Sequence, residues 1–323
     1  MKAVVLTQTG APEVLQITEV PIPTVKPGWV LIQVKAFGLN RSELMMRQYE
    51  GNAPYIQLPR ILGIECVGIV AHASDSHFRN GQTVVALMGG IGRSFDGSYA
   101  EYTLVPTKNI FAVDTDMSWE QLAAIPETYF TAYGSLFDSL QLNSNDVLLI
   151  RAGTSSAGLA AIQLAKSIGA KVLASTRKEE KRQLLLNTGA DNVLIEDGTL
   201  GSQLKAIYPQ GVTKILELIG AATLMESMNL LSKHGIVCVT GILGKKAILD
   251  NFYPIKDIPS GVYLTGFVSN FPNQQLIDSL FFHIKQHAIQ PVIAKIFYLD
   301  QIVDAHSLME KNEANGKIVI TIK

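Results

Sequence analysis

Apolar positions in residues 1–120 occur in short runs that alternate with polar positions and are separated by glycine and proline. Turn signals lie between the runs at Lys26-Pro27-Gly28, Asn80-Gly81 and Asp96-Gly97. Short alternating runs bounded by turn residues are typical of half-buried strands. This region is therefore predicted to be mainly β, in an antiparallel or barrel-like fold, with strands at KAVVL, VLQITEVP, WVLIQVKAFG, ECVGIVAHA, QTVVAL and SYAEYTLVP.

From Trp119 the pattern changes to continuous apolar strands that alternate with helical segments. Strands of this kind, each followed by a helix, predict a parallel sheet covered on both faces. Gly169, Gly189 and Gly235 follow three of the helical segments, where a left-handed residue is expected. The predicted strands are DVLLIR, AKVLAST, DNVLI, TKILELI, IVCVTG and VYLTGFV, and the predicted helices are SSAGLAAIQLAKSIG, RKEEKRQLLLNTG, GSQLKAIY and TLMESMNLLSKHG.

The tail from about Phe271 is predicted to contain two helices, QQLIDSLFFHIKQH and QIVDAHSLMEK, and a closing strand, GKIVITIK. The pattern alone leaves two arrangements open. The tail could extend the parallel sheet or return to the β-rich region.

Composition narrows the class of protein. The chain has 323 residues, 47% of them hydrophobic and 17% charged, which predicts a compact globular protein of two domains that share a cleft. The net charge of −1 gives no field that would recruit nucleic acid or a membrane surface. The beginning of the chain lacks the features of a signal peptide, and Cys66 and Cys238 lie among aliphatic residues. We expect a cytoplasmic protein with a small-molecule partner.

The segment Arg151–Gly158, RAGTSSAG, lies between an apolar strand and a long helix. Its small residues would let backbone amides approach a pyrophosphate, and the helix N-terminus adds partial positive charge. The serines break the G-x-G-x-x-G pattern, so the segment fits an ordinary serine-capped turn equally well. The candidate cofactor-binding residues here are Thr154, Ser155, Ser156 and Ala157.

The second strand of the predicted parallel sheet ends in polar and basic residues. An NAD-specific enzyme places an acidic residue there to hold the adenosine ribose. Arginine and lysine instead favour the 2′-phosphate of NADP. The alternative is a capping box between Thr176 and Glu179, with the cations on a solvated helical turn. The candidate phosphate ligands are Ser175, Thr176, Arg177 and Lys181.

The blocks KAVVL, GLNRSELMMRQ, PRILGIECVGIV, ALMGGIGRSFDGSYAEYTLVP, ETYFTAYGSL and GKIVITI occur in one order along the chain. With them, the sequence resembles the medium-chain dehydrogenase/reductase superfamily, in its zinc-free quinone-oxidoreductase-like branch. The resemblance implies an α/β fold with a GroES-like β-rich catalytic domain, residues 1–120 completed by 271–323. It also implies a Rossmann NADP-binding domain with a doubly wound parallel sheet, residues 121–270, and a homodimer.

The resemblance also bears on metal binding. Zinc-dependent relatives have a cysteine where this chain has Asn40 and a histidine where it has Ile64. Glu65 alone cannot form a catalytic zinc site, which needs three protein ligands. The pair His283 and His287 more often shares a helix face than a metal. No metal site is predicted.

The implied chemistry is transfer of hydride from NADPH to a quinone, an enone or a related electron-poor carbonyl. Asn40 is the candidate donor to the negative charge that develops on the acceptor. A tyrosine found in some relatives would fall on Gly51, so no catalytic tyrosine is assigned. Reduction of enoyl thioesters and a silent NADP-binding sensor or structural protein are the alternatives. The resemblance places further cofactor contacts at Thr131, Thr240, Gly241 and Phe267.

Overall fold

The computed structural model describes residues 1–270 and 272–323. Phe271, where the sequence analysis placed the start of the C-terminal segment, lies outside the described residues. The chain divides into two compact units, Met1–Glu127 with Asn270–Lys323, and Thr128–Ser269. The second unit thus begins at Thr128 rather than at the expected residue 121, because the helix Trp119–Ala123 packs against strands of the first unit.

The strands have the following bounds in chain order: β1 Lys2–Leu6, β2 Gln16–Glu19, β3 Trp29–Gly38, β4 Arg60–Ile61, β5 Glu65–His72, β6 Thr83–Leu87, β7 Tyr102–Pro106, β8 Ile110–Ala112, β9 Val147–Arg151, β10 Lys171–Thr176, β11 Asn192–Ile195, β12 Val212–Glu217, β13 Leu231–Val239, β14 Tyr263–Gly266, β15 Ile293–Tyr298 and β16 Lys317–Thr321. The α-helices have these bounds: α1 Arg41–Tyr49, α2 Trp119–Ala123, α3 Pro126–Tyr133, α4 Ser156–Ser167, α5 Arg182–Thr188, α6 Leu200–Ile207, α7 Leu224–Asn229, α8 Pro254–Asp257, α9 Gln274–Gln286 and α10 Ile302–Glu310. A π-helical segment, Gly134–Ser139, follows α3.

The first unit is built on two sheets of mainly antiparallel strands. Within the described residues, the larger sheet has the order β15-β16-β3-β5-β6-β8, with β7 also beside β3, and the smaller has the order β2-β1-β4. Strand β16 pairs with β3, so the C-terminal tail returns to the β-rich unit, as the resemblance implies. The core includes Phe37 and Tyr99, whose rings stack with centroids 4.6 Å apart.

The second unit contains a parallel sheet in the order β11-β10-β9-β12-β13-β14. Numbered along this unit, the order is 3-2-1-4-5-6, which is the order of a Rossmann sheet. Leu149, Leu173, Ile215 and Val237 come from four of its strands and pack in one core. Because every strand is parallel, all the carboxyl ends lie at one edge, where a Rossmann sheet binds its ligand.

Two predicted helices differ from the structure. The segment TLMESMNLLSKHG was expected to be one helix, but α7 ends at Asn229 and β13 begins at Leu231. Leu231 pairs with Val212 in the sheet, so strand pairing overrides the helical pattern. The expected left-handed residue Gly235 does not have a positive φ; His234 does, with φ 67°. The segment RKEEKRQLLLNTG is helical only from Glu179, where a 3₁₀ turn precedes α5.

Gly169 and Gly189 follow α4 and α5 and have the positive φ predicted from the sequence, 85° and 118°. Within residues 1–270 and 272–323, no helix has the length and apolar character needed to cross a bilayer.

Candidate active site

The loop between β9 and α4 combines a left-handed residue with a serine cap. Ala152 has φ 58°, and Ser155 is the N-cap of α4. The Ser155 hydroxyl accepts a hydrogen bond from the Gly158 amide at 3.1 Å and donates one to the Ala152 carbonyl at 2.9 Å. The serine-capped turn is therefore present, and it shapes the same loop that was predicted to hold a pyrophosphate.

Donors remain in this loop for an anion. In the described part of the chain, the amides of Thr154, Ser156 and Ala157 have no protein acceptor. The two glycines of the loop leave no room for side chains, since a Cβ on Gly158 would lie 2.6 Å from the Gly153 carbonyl oxygen. Unpaired amides at the N-terminus of a helix attract phosphate groups. The donor set and the tight backbone fit a pyrophosphate.

Ser175 lies at the end of β10, but its side chain does not face solvent. It is fully buried, donates to the Glu196 carboxylate at 2.6 Å and accepts from the Ala152 amide at 3.2 Å. This differs from the predicted direct contact with a phosphate. The sequence could not show that Glu196, on a loop after the neighbouring strand, uses this hydroxyl. In the structure Ser175 instead supports the loop between β9 and α4 by accepting from the backbone amides of Ala152 and Gly153.

Thr176 does not form the capping box that was the alternative to a phosphate site. Its hydroxyl accepts from the Lys178 amide at 3.2 Å, within two residues of its own position. Glu179 instead pairs with Arg182, with an Nη2 to Oε2 distance of 2.9 Å. The basic residues are thus not organised by a Thr176 cap.

Arg177 and Lys181 stand close to the end of β10. Arg177 is exposed and, among the described residues, makes no hydrogen bond or ion pair with protein. Burial, together with the positive charges of Lys178 and Arg177, lowers the pKa of Lys181. The positive charges of Lys178 and Arg177 thus act on Lys181, and such a group of cations attracts a phosphate.

Thr131, Thr240 and Phe267 come together in the second unit around the π-helical segment. The Ser135 hydroxyl donates to the Thr131 carbonyl at 2.7 Å and lies 2.8 Å from the Thr240 hydroxyl. A Cβ on Gly134 would lie 2.1 Å from the Phe267 ring, so the glycine makes room for this ring. The structure thus joins three of the residues predicted to border the nicotinamide.

Gly241 follows β13 at the same edge of the sheet. Its amide donates to the Glu217 carbonyl at 3.3 Å. A Cβ at this position would lie 2.3 Å from the Leu218 carbonyl oxygen. Close approach of two backbone segments therefore requires glycine here.

Asn40, the candidate catalytic donor, is the N-cap of α1 and is 8% exposed. Its amide nitrogen donates to Glu65 at 2.8 Å and to the Gly38 carbonyl at 3.3 Å, and its oxygen accepts from Lys317 at 2.6 Å. Both amide hydrogens are used within the protein. The prediction that Asn40 donates directly to the acceptor is therefore not supported by this arrangement; Asn40 orients its neighbours.

Glu65 and Lys317 form a buried ion pair at 2.8 Å, with side chains 1% and 2% exposed. Glu65 also accepts from the Glu127 amide at 2.7 Å. A buried carboxylate is stable only with such partners. The pair joins β5 to β16 and fixes the side chain of Asn40.

Glu43 is fully buried beside this cluster. Its carboxylate accepts hydrogen bonds from the backbone amide of Ile64 at 2.9 Å and from the backbone amide of Asn40 at 2.5 Å. Burial raises the pKa of Glu43 to about 8, with the nearby Glu65 adding to the rise, although both amides and Lys317 favour the charged form. The effect of removing the carboxyl group from water on the pKa is thus larger than the effect of these partners.

Some site residues were not identified from the sequence. Lys317 lies in the predicted closing strand GKIVITIK and Arg151 interrupts an apolar run, but the sequence pattern assigns neither a function. A charged residue at the first or last position of a buried strand is the signal that could have pointed to both: Lys317 begins β16 and Arg151 ends β9. Ser135 and Gly134 carry no such signal, because their contacts depend on the π-helical turn.

Comparisons with known proteins agree with this geometry. Residues 26–115 match the family described as Alcohol dehydrogenase GroES-like domain, and residues 157–275 match the family described as Zinc-binding dehydrogenase. Quinone oxidoreductase of Sus scrofa is 28% identical over 330 residues, covering 100% of this chain and 98% of that protein.

Two solved structures share the fold along nearly the whole chain. A mycobacterial protein complexed with NADPH has a TM-score of 0.86 and 25% identity, and covers 99% of this chain and 100% of its own. Quinone oxidoreductase of Escherichia coli, complexed with NADPH, has a TM-score of 0.88 and 24% identity, with the same coverage.

The sheet order and the loop after β9 define a protein of the Rossmann class, joined to a GroES-like β-rich unit. The chain belongs to the medium-chain dehydrogenase/reductase superfamily, in its quinone-oxidoreductase-like branch.

The described residues do not fit the catalytic zinc that one family description implies. An amide, Asn40, and an aliphatic chain, Ile64, stand at two ligand positions, and Glu65 is paired with an ammonium. These groups cannot supply three zinc ligands. His283 and His287 have ring centroids 4.6 Å apart, but no group of three metal-binding side chains occurs among residues 1–270 and 272–323.

We predict that Gly158→Ala lowers the free energy of unfolding by about 1–3 kcal/mol, because the added Cβ would overlap the Gly153 carbonyl. Gly201→Ala is the matched control, since its Cβ would make an ordinary 3.5 Å contact with Leu230 and alanine favours helices. The control should keep or raise stability by up to about 1 kcal/mol. Urea unfolding measures both, and equal effects would contradict the packing of this loop.

We predict that Glu43→Gln removes a pH dependence of stability. The unfolded carboxyl titrates near 4.5 and the folded one near 8, so the folded protein holds one more proton between these values. The stability contributed by the neutral carboxyl is fully present below pH 4.5 and is lost as the pH rises to 8, at up to about 1.4 kcal/mol per pH unit.

Urea unfolding of the wild type and the variant from pH 5 to 8 measures this slope. Glutamine lowers stability at every pH because an NH₂ group faces a backbone donor, but it does not titrate. The exposed Glu13→Gln is the control and should keep the wild-type slope. An unchanged slope in the Glu43 variant would show that this carboxyl is charged in the folded protein.

Proposed function

We propose that the protein is an NADPH-dependent reductase that transfers hydride to a quinone, an enone or a related electron-poor carbonyl without zinc. The observation that carries the proposal is the phosphate loop of Thr154–Ala157 together with the cations Arg177 and Lys181, where an acidic residue would favour NAD. Whole-length similarity to quinone oxidoreductases supports the choice of acceptor.

NADP(H) would be held by residues of the second unit. The amides of Thr154, Ser156 and Ala157 suit the pyrophosphate, and Arg177 and Lys181 suit the 2′-phosphate. Thr131, Thr240, Gly241 and Phe267 are proposed to border the nicotinamide. When bound, the cofactor supplies the hydride. Two relatives of this fold were solved with NADPH, which agrees with the assignment.

The residues of this chain chiefly bind and orient. Ser135 fixes the Thr131 and Thr240 side of the proposed nicotinamide site through its two hydroxyl contacts. In the first unit, the Lys317 ammonium neutralises Glu65 and both hold Asn40, so this cluster supplies rigidity instead of a free donor. Stabilisation of the acceptor oxygen then falls to backbone amides and solvent.

We also propose an oligomeric state and a cellular location for the protein. The family resemblance favours a homodimer, and the composition with two buried free cysteines favours the cytoplasm. Both are proposals.

Stopped-flow absorbance at the NADPH band, with a panel of quinones, enones and enoyl thioesters, tests the function. We expect oxidation of NADPH by at least one quinone or enone, and slower oxidation by thioesters. Preferred turnover of a thioester would assign the protein to the related enoyl reductases. Binding of NADPH without oxidation by any acceptor would instead support a silent nucleotide-binding protein.

We predict that Arg177→Ala weakens binding of NADPH about tenfold and of NADH by less than about twofold, because only NADPH carries the 2′-phosphate. Fluorescence titration of the reduced nucleotides measures both dissociation constants. Lys205→Ala, an exposed change on α6, is the control and should alter neither. Equal weakening of the two nucleotides would reject Arg177 as a phosphate ligand.

A further inference from the structure

Arg151 is a buried cation at the end of β9, the central strand from which the phosphate loop begins. Its side chain is 1% exposed. The guanidinium donates to both oxygens of Glu196, with an Nε to Oε1 distance of 2.9 Å, and Nη1 lies 2.9 Å from the Glu226 carboxylate. Glu217 is 4.0 Å away. One guanidinium thus faces three carboxylates.

The three carboxylates differ in how far Arg151 balances their negative charge. Glu217 accepts from the amides of Ile219 and Gly220 at 2.7 and 3.0 Å and from the Ser227 hydroxyl at 2.5 Å. Glu226 is 44% exposed and is therefore solvated. Glu196, with a side chain 11% exposed, has the Ser175 hydroxyl besides Arg151. Its charge is balanced mainly by the guanidinium.

Glu196 also lies beside the proposed adenosine site. Its amide donates to the Thr176 carbonyl at 2.9 Å, and its carboxylate is one hydrogen bond from Ser175. Arg177 follows Thr176 directly. A carboxylate at the end of the second strand is the feature that holds ribose hydroxyls and disfavours a 2′-phosphate. This chain has its carboxylate on the neighbouring strand, at the same sheet edge.

We propose that Arg151 is a positioning residue that sets the preference for NADPH over NADH by neutralising Glu196 and holding it against Ser175. The inference rests on the proposed function. Arg151 acts through Glu196, because its own guanidinium is buried. Without Arg151, the negative charge of Glu196 beside the strand end opposes the 2′-phosphate and leaves NADH less affected.

A second consequence follows from the same contacts. Ser175, while donating to Glu196, accepts from the Ala152 amide, and its carbonyl accepts from the Gly153 amide at 2.9 Å. The chain of contacts from Arg151 through Glu196 and Ser175 closes on the loop that begins at Ala152. Loss of Arg151 should loosen this loop and weaken both nucleotides. The change in the ratio of NADPH to NADH affinity comes in addition to this loss of affinity for both nucleotides.

The test compares Arg151→Met with the double variant Arg151→Met/Glu196→Gln. Fluorescence titrations give the dissociation constants of NADPH and NADH, and thermal unfolding checks folding. We expect Arg151→Met to weaken NADPH about tenfold more than NADH. The double variant should return the ratio to within about threefold of the wild-type ratio, because no charge remains at position 196.

Arg60→Met, which breaks the Arg60–Asp96 ion pair of the first unit, is the matched control and should keep the wild-type ratio. If Arg151→Met does not fold, Arg151→Gln, which keeps a hydrogen-bond donor for Glu196 but not the positive charge, takes its place in the comparison with the double variant. A folded double variant that has lost the preference for NADPH would overturn the inference.

Equal weakening of the two nucleotides by Arg151→Met would also overturn it, since a purely structural residue acts on both. Wild-type protein that binds neither nucleotide would overturn the proposed function and this inference together. Wild-type protein that prefers NADPH, with the same ratio in every variant, would overturn the inference alone.

Discussion

The parallel pairing of β9 with β10 on one side and β12 on the other is the constraint on which the second unit depends. In this register Arg151 lies opposite Glu217, and Ile150 lies opposite Ala174, next to Ser175. Carboxyl ends that align in this way bring side chains from distant parts of the sequence to one edge. The phosphate loop, its buried support and the basic cluster are all consequences of that alignment.

Both units stabilise their buried charges in the same way, by giving each ion several hydrogen-bonding or ionic partners. An ion removed from water costs several kcal/mol, and one partner seldom offsets that cost. Lys317 is held by Glu65 and Asn40, and Glu217 by two amides, a hydroxyl and a guanidinium. Each cluster connects strands or loops that the sheets already hold in place. Several partners therefore share in offsetting the cost of removing the ion from water.

The elements of the second unit could be predicted from the sequence because each strand and helix carries its own local pattern. The phosphate loop followed from small residues between a strand and a helix. The failures had a different origin. The end of α7 was wrong because Leu231 pairs with a strand, and the direct phosphate role of Ser175 was not supported because Glu196 uses its hydroxyl. Neither partner is visible in the local sequence.

Asn40 shows why the position of a residue does not define its role. The sequence places an amide where zinc-dependent relatives have a cysteine, which suggests a donor to the acceptor. The side-chain oxygen of Asn40 accepts a hydrogen bond from Lys317, which lies 277 positions further along the chain, and its NH₂ group donates to Glu65. The Lys317 side chain on β16 forms a buried ion pair with Glu65, so the carboxylate is neutralised by the protein itself and requires no metal for its stability.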